Sequence, residues 1–164
     1  MASGTQTIDE EFIRKGLALA DKAETLGEVP VGAVVVVNET IVALGFNSSI
    51  TLHDPTAHAE IIALREACHR LNTYRLPEGT LYVTMEPCAM CAGALVNARI
   101  KRLVFGTRDL RFGAVRSKFR LADSDILNHR IEITEGILGD ECLYRLKKFF
   151  ALRRQHNSQK KTDA

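Results

Sequence analysis

The chain has 164 residues, of which 46% are hydrophobic and 26% are charged, and its formal net charge at pH 7 is +2. This length predicts a single domain, residues 1–164, that buries about 70% of the surface of its unfolded chain. The composition excludes a disordered or fibrous protein, and no run of roughly twenty apolar residues is present to span a membrane.

Apolar residues at helical spacing predict a first helix over residues 9–26. Asp9 is its expected N-cap, and Gly27 is its expected end. Residues 31–37 are almost all valine, which is typical of a central strand. A tight turn at Asn38-Glu39 then predicts a hairpin with the following strand.

Strands and helices alternate along the rest of the chain. The predicted strands are residues 31–37, 41–46, 80–84, 102–105 and 131–134, and the later helices are 59–70, one beginning at Pro87, and 139 to about 155. This order implies a three-layer α/β/α fold around one central five-stranded mixed sheet. Residues from about 157 to 164 are expected to be a frayed tail.

Two short motifs carry the chemistry, His58-Ala59-Glu60 and Pro87-Cys88-Ala89-Met90-Cys91. One imidazole and two thiolates leave the fourth position of a tetrahedral zinc ion open, as catalytic zinc sites do. Glu60 is the right kind of group to take a proton from a zinc-bound water. The motifs therefore predict a hydrolytic zinc site.

The spacing of the motifs supports this interpretation. Cys88 and Cys91 are three residues apart and share one face of a helix, with Pro87 expected in its first turn. A helix N-terminus favours thiolate over thiol. Both helices follow elements of the sheet, so we expect their N-termini to meet at one end of it.

Each motif alone has a simpler explanation. A lone C-x-x-C is also typical of a redox pair or half of a structural zinc ribbon, and a lone His of a helix cap or a core residue. H-x-E followed by P-C-x-x-C is the signature of zinc deaminases, which favours the catalytic interpretation.

Cys68 and Cys142 lie in helical patterns and are expected to be core thiols in a reducing compartment. Since residues 1–8 resemble no secretory or transit signal, the protein is expected in the cytoplasm.

Charge is unevenly distributed along the chain. Residues 142–162 contain seven Lys or Arg and no acid, and residues 99–120 contain eight basic residues and one acid, whereas residues 1–98 contain six basic and twelve acidic residues. The C-terminal part is therefore a candidate surface for a polyanion. A solvated helix face with a basic tail is the alternative.

Further blocks flank the zinc motifs. They are Glu28-Val29-Pro30-Val31-Gly32-Ala33, His53-Asp54-Pro55-Thr56 before Ala57-His58, Thr80-Leu81-Tyr82-Val83-Thr84, Glu86-Pro87-Cys88 with Met90-Cys91-Ala92-Gly93-Ala94, Phe105-Gly106-Thr107-Arg108-Asp109, Asn128-His129-Arg130 and the tail Phe149-Phe150-Ala151-Leu152-Arg153-Arg154-Gln155. With these blocks the chain resembles the cytidine-deaminase-like superfamily and, within it, the bacterial tRNA-specific adenosine deaminases, over residues 9–156.

The resemblance implies one Zn²⁺ per chain held by His58, Cys88 and Cys91. It implies hydrolytic deamination of adenosine to inosine at the wobble position of a tRNA anticodon, mainly of arginine tRNA. Zinc-bound hydroxide would attack C6, with Glu60 as the proton shuttle. It also implies a homodimer in which the partner chain completes the pocket, and no association with a membrane.

The resemblance also implies substrate contacts. Val29, Asn47 and Ala59 match positions of the adenine pocket, Asp109 a position beside the target base, and Phe150 and Arg153 a tail helix on the anticodon loop. The residues alone leave alternatives open. Asn47 is also a typical turn residue, and Asp109 could form an ion pair with Arg108 or Arg111. The basic tail could simply be exposed to solvent. Helical spacing predicts that one of Phe149 and Phe150 faces the core and the other offers a stacking surface. Residues 119–125, His53 and His129 have no assigned role.

Two rival functions remain at this stage. A free nucleobase or nucleotide deaminase, acting on cytosine, guanine or dCMP, would use the same zinc motif. An RNA-binding module with a structural zinc is the rival of another class. Glu60 separates that class from an enzyme, since a structural site has no use for a carboxylate beside an open coordination position.

Overall fold

The structure, a computed structural model, describes residues 4–164. Within this range four helices and five strands alternate in the predicted order. They are α1 (Gly4–Thr25), β1 (Gly32–Val37), β2 (Thr40–Phe46), α2 (Ala59–Arg70), β3 (Gly79–Met85), α3 (Ala89–Asn97), β4 (Arg102–Thr107), β5 (Glu132–Glu135) and α4 (Gly139–Thr162).

The five strands form one mixed sheet in the order β2-β1-β3-β4-β5. β1 is antiparallel to both of its neighbours, whereas β3, β4 and β5 run parallel to one another. The central five-stranded mixed sheet predicted from the sequence is confirmed.

The valines of β1 show how the layers form. Because side chains of a strand point alternately to the two faces of the sheet, Val34 and Val35 face opposite layers. Val34 packs with Phe12 of α1 and Cys142 of α4, whereas Val35 packs in the cluster that contains Ala63 of α2 and Leu95 of α3. The result is the predicted three-layer α/β/α arrangement.

The hairpin between β1 and β2 turns as predicted. Asn38 and Glu39 both have positive φ, 50° and 62°. Two consecutive residues with positive φ are the mark of a type I′ turn, whose twist matches that of paired strands. Gly27, with φ +78°, follows the end of α1 and adopts a conformation that favours glycine.

Two predicted helix ends were wrong. Asp9 is not an N-cap, because α1 already begins at Gly4, and the Asp9 carboxylate is buried against the sheet. It accepts hydrogen bonds of 2.8 and 2.7 Å from Arg102 and of 3.0 Å from the Tyr82 hydroxyl. α4 continues to Thr162 instead of ending near Gln155 in a frayed tail. Residues 140–162 contain no Gly or Pro that would end a helix.

No helix in the described range is long and apolar enough to cross a membrane.

The strand directions bring four chain segments to one edge of the sheet. Gly32 at the start of β1 pairs with Phe46 at the end of β2, and Met85 at the end of β3 pairs with Thr107 at the end of β4. Since β1 and β3 are antiparallel, the start of β1 lies beside the end of β3. The loops that leave these strands therefore share this edge.

Candidate metal centre and active site

His58 and Cys88 occupy equivalent positions at the ends of two helices. Each is the N-cap of its helix with an extended backbone, His58 for α2 (φ −73°, ψ 155°) and Cys88 for α3 (φ −74°, ψ 177°). The Nδ1 atom of His58 lies 3.5 Å from the Sγ atoms of both Cys88 and Cys91. The predicted meeting of the two helix N-termini is confirmed. Pro87 was expected in the first turn of α3. It instead precedes the N-cap, because Cys88 itself caps the helix.

The three side chains fit a zinc ion. Their ligand atoms lie within 4.8 Å of one another. A tetrahedral zinc with ordinary bond lengths separates its nitrogen and sulfur ligands by about 3.6 Å, close to the observed N–S distances. No further His, Cys, Asp or Glu of residues 4–164 joins the group. Three protein ligands of this kind are typical of a catalytic zinc site.

The two thiols do not share charge equally. The adjacent Cys91 side chain lowers the pKa of Cys88 to about 4, and His58 acts in the same direction. The hydrogen bond with Cys88 raises the pKa of His58. Cys88 is thus held as a thiolate at a helix N-terminus, the form in which cysteine binds metal.

Glu60 lies in the first turn of α2 beside this cluster. Its side chain is 5% exposed, and burial raises the pKa of its carboxyl to about 7. A carboxyl with this pKa both accepts and releases a proton near neutral pH, which is what a general acid–base requires. Glu60 also lines the cavity that His58 and Cys88 line.

That cavity, of about 990 Å³, lies at the edge of the sheet where the strand ends converge. It contains four of the predicted substrate contacts: Val29, Asn47, Asp109 and Phe150. Ala59 is fully buried in the core between His58 and Glu60. The geometry therefore places most of the predicted site residues around one cavity.

The tail residues divide between core and cavity. Phe149 is buried, whereas Phe150 is 39% exposed and lines the cavity, so the prediction that one of the two rings faces the core is confirmed. Arg154 also lines the cavity. The Arg153 guanidinium instead lies over the Phe149 ring, 5.4 Å from its centroid.

Asp109 caps its own turn. Its Oδ1 atom accepts hydrogen bonds from the backbone N–H groups of Arg111 (3.0 Å) and Phe112 (3.2 Å). Arg108 pairs with Glu135 at 2.7 Å. The ion pair with Arg108 or Arg111, which the sequence left open for Asp109, does not form among the described residues.

Glu86 is an organising residue that the sequence analysis missed. Its carboxylate is 3% exposed and accepts hydrogen bonds of 2.8–3.1 Å from the backbone N–H groups of Asp109, Val115, Arg116 and Ser117. Burial opposes its charge, but Ser117 and these amides hold its pKa below the ordinary value. A Cβ on Gly113 would clash with the Glu86 carboxylate, so only glycine permits this approach. Glu86 thereby fixes residues 108–117 beside the cavity.

Glu28 has a similar role on the other side. It is 1% exposed, and its carboxylate accepts a 2.8 Å hydrogen bond from the Ile50 N–H. It thus ties the loop after Asn47 to the segment that carries Val29. The N–H groups that donate to Glu28 and Glu86 lie 22 to 31 residues further along the chain. The only sequence signal for these roles is therefore an acidic residue next to a buried strand or a motif.

Basic and apolar side chains form most of the remaining cavity lining. The basic ones are Arg108, Arg111, Lys147 and Arg154, and the apolar ones that the sequence analysis missed include Leu110, Phe112, Leu143 and Leu146. Part of the predicted basic surface therefore borders the site.

Two of the residues without a predicted role make structural contacts. His129 contacts the Ile100 carbonyl oxygen through Nε2 at 2.7 Å, and Asp123 of the 119–125 segment pairs with Arg116 at 3.1 Å. Cys68 and Cys142 are free thiols, as predicted.

The fold and the site together define a zinc-dependent hydrolytic deaminase of the cytidine-deaminase-like class. A sequence family described as the cytidine and deoxycytidylate deaminase zinc-binding region matches residues 6–107. The tRNA-specific adenosine deaminase of Haemophilus influenzae is 52% identical over 154 residues, which cover 93% of this chain and 89% of that protein. The Bacillus subtilis protein of the same name is 42% identical over 156 residues, which cover 94% of this chain and 97% of that protein.

A solved structure agrees with these relatives. It comes from a study of A-to-I editing by tRNA:A34 deaminases at the wobble position of transfer RNA. It superposes with a TM-score of 0.81 at 40% identity and covers 83% of this chain and 99% of its own. The chain belongs to the family of tRNA-specific adenosine deaminases.

Proposed function

We propose that this protein deaminates adenosine to inosine at the wobble position of a tRNA anticodon, with one zinc ion per chain. One observation carries the proposal: the buried Glu60 and two members of the metal cluster, His58 and Cys88, line one cavity whose lining includes basic side chains. The tRNA-specific relatives from two bacteria support the choice of substrate.

Glu60 performs the proton transfers of this reaction. Bound zinc supplies a Lewis acid that makes a water molecule nucleophilic near neutral pH. Glu60 would accept a proton from the attacking water and deliver it to the ring nitrogen beside C6, which makes C6 electrophilic. Once the water oxygen has bonded to C6, the same carboxyl would take the remaining proton of that oxygen and give it to the amine, which leaves as ammonia when the C6–N bond breaks and the C6=O bond forms. In the metal-free protein, burial raises the pKa of this carboxyl to about 7 and so favours the protonated form that delivers a proton.

The adenine base is held by partly buried residues of the cavity lining. Val29 offers an apolar flank, and Asn47 offers a side-chain amide that both donates to and accepts from a purine edge. Ala59 has its methyl group in the core, so it reaches a base only through its backbone. Its N–H is among the first of α2, which have no partner within their own helix.

The RNA is held by Asp109 and by residues of α4. Asp109 uses Oδ1 for its own turn and keeps its second oxygen for a ribose 2′-hydroxyl. Phe150 offers a stacking surface, and Arg153 and Arg154 contact phosphate, with Arg154 the nearer because it lines the cavity. An anticodon loop supplies unpaired bases that reach such a pocket at little cost.

Three finer points rest on the resemblance in sequence. We propose that arginine tRNA is the principal substrate, that two copies form a homodimer whose partner chain completes the pocket, and that this single-domain enzyme works in the cytoplasm. Analytical ultracentrifugation tests the dimer, and a monomer with full activity would contradict it.

The test of this function compares substrates. Zinc-loaded protein is incubated with an anticodon stem-loop carrying adenosine at the wobble position and, separately, with guanine, cytosine and dCMP. We expect inosine in the RNA and no turnover of the free compounds. Turnover of a free base or nucleotide without any inosine in the RNA would favour the rival deaminase. Binding of RNA without any turnover would favour the RNA-binding module.

A further inference from the structure

Phe112 is an aromatic residue that the fold leaves outside its core. Its side chain is 68% exposed and lines the cavity mouth. Neighbouring Leu110 is 73% exposed and lines the same mouth. Apolar side chains in this position gain nothing from folding, because they stay in water.

The backbone beneath Phe112 is held firmly. The Phe112 N–H donates to Asp109 Oδ1 at 3.2 Å, and the Gly113 N–H donates to the Asp109 carbonyl oxygen at 2.9 Å. The Asp109 N–H in turn donates to the buried Glu86 carboxylate at 3.1 Å. An exposed ring on an anchored turn adds little ordering cost to binding, since its backbone is already fixed.

The charges around Phe112 indicate what it binds. Arg111, Lys147 and Arg154 line the same cavity and form no ion pair with another side chain in the part of the chain that the structure describes. Free cations next to an exposed aromatic face match a ligand with both phosphates and flat bases. Single-stranded RNA is such a ligand, because its bases stack on aromatic side chains while basic groups follow its backbone.

We propose that Phe112 is a stacking platform for the unpaired nucleobase that neighbours the target adenosine in the RNA. This inference rests on the proposed function and adds to it a stacking surface besides Phe150. Glu86 acts through the turn as the residue that positions the platform. Loss of stacking would weaken RNA binding and leave the chemistry at the metal centre unchanged.

A double-mutant cycle tests the proposal. The protein is wild type or Phe112→Ala, and the stem-loop is intact or abasic at either nucleotide flanking the target adenosine. We expect Phe112→Ala to raise KM about 5- to 150-fold with kcat nearly unchanged, and Phe112→Tyr to restore KM. At one flanking position, removal of the base should raise the KM of the wild-type protein by the same factor as Phe112→Ala does with intact RNA. The KM of Phe112→Ala should rise little further with this abasic RNA. Independent losses at both positions, or an unchanged KM, would overturn the proposal.

Controls separate this inference from its alternatives. Tyr74→Ala removes a ring that is 75% exposed but precedes β3, at the opposite edge of the sheet, and its KM should not change. Zinc content and sedimentation are measured for each variant. A change of oligomeric state in Phe112→Ala would assign the ring to an interface between two copies and overturn the proposal. If wild-type protein makes no inosine in the intact RNA, the proposed function itself fails, which is a separate outcome.

Discussion

His58 and Cys88 are each the N-cap of a helix, and His58 Nδ1 lies 3.5 Å from Cys88 Sγ. An N-cap residue has an extended backbone, so its side chain leaves the end of the helix instead of lying along it. Two such helix ends therefore deliver their ligand atoms to one point. A single ion at this point would join α2 to α3 and also serve the chemistry.

Removal of one ligand should release the metal. We expect Cys91→Ala to lose most of its zinc, because two remaining ligands are too few for a stable site. Metal content by inductively coupled plasma mass spectrometry is the measurement. Cys68→Ala, which removes a free thiol on α2 outside the cluster, is the matched control and should keep its zinc. A Cys91→Ala protein with full zinc content would contradict the assignment of the ligands.

Glu60→Gln should separate binding from catalysis. The amide keeps the shape of the side chain but cannot carry the proton, so we expect kcat to fall by about 10²- to 10⁴-fold or more. Zinc content and the Kd for the stem-loop should stay close to wild type. Glu66→Gln, on the exposed face of the same helix, is the control and should keep its kcat. Undiminished turnover by the E60Q variant would remove Glu60 from the mechanism.

The buried Glu60 should also leave a signature in the stability of the metal-free protein. Its pKa rises from 4.5 to about 7 on folding, so the folded state binds more protons between these values. Stability from this group is therefore present below about pH 4.5 and is lost as the pH rises through 7. We expect metal-free wild type to lose about 3 kcal/mol relative to metal-free E60Q across this window. Urea unfolding of both proteins at several pH values measures the difference, and parallel profiles would contradict the burial argument.

The Asp9 carboxylate should be important for stability and not for turnover. Asp9→Ala leaves the largely buried Arg102 guanidinium and the Tyr82 hydroxyl without this partner, and we expect a loss of about 3–5 kcal/mol. Asp21→Ala breaks an exposed ion pair with Arg145 and should cost no more than about 1 kcal/mol. Equal losses in urea unfolding would show that burial does not distinguish the two pairs.

Neighbouring arginines of α4 provide a test of the RNA surface. Arg154 lines the cavity, whereas Arg153 lies over Phe149. We expect Arg154→Gln to reduce the slope of log Kd against log salt concentration by about 1, the effect of one lost phosphate contact. Arg153→Gln should have the smaller effect. A larger effect of Arg153→Gln than of Arg154→Gln would assign the main phosphate contact to Arg153.

The sequence predicts those features whose signal is local. The valines of β1, the Asn38-Glu39 turn and the spacing of Cys88 and Cys91 each depend on a few adjacent residues, and each is confirmed. Local patterns also place α2, which spans Ala59–Arg70 as predicted.

Features that depend on distant residues were missed. Asp9 looks like a helix cap until Arg102, 93 residues later, is placed beside it. The donors to Glu86 lie 23 to 31 residues further along the chain, in a loop with no regular pattern. Such contacts arise only when the sheet brings separate segments to one edge, so no local spacing predicts them.

Inosine mapping across the complete tRNA pool tests the central claim most directly. Zinc-loaded protein is incubated with total tRNA prepared without inosine, and every anticodon is then sequenced for adenosine-to-inosine conversion. We predict conversion at the first anticodon position, foremost in arginine tRNA, and none after the metal is removed by a chelator. Full conversion by metal-free protein, or no conversion at that position by the zinc-loaded protein, would contradict this account.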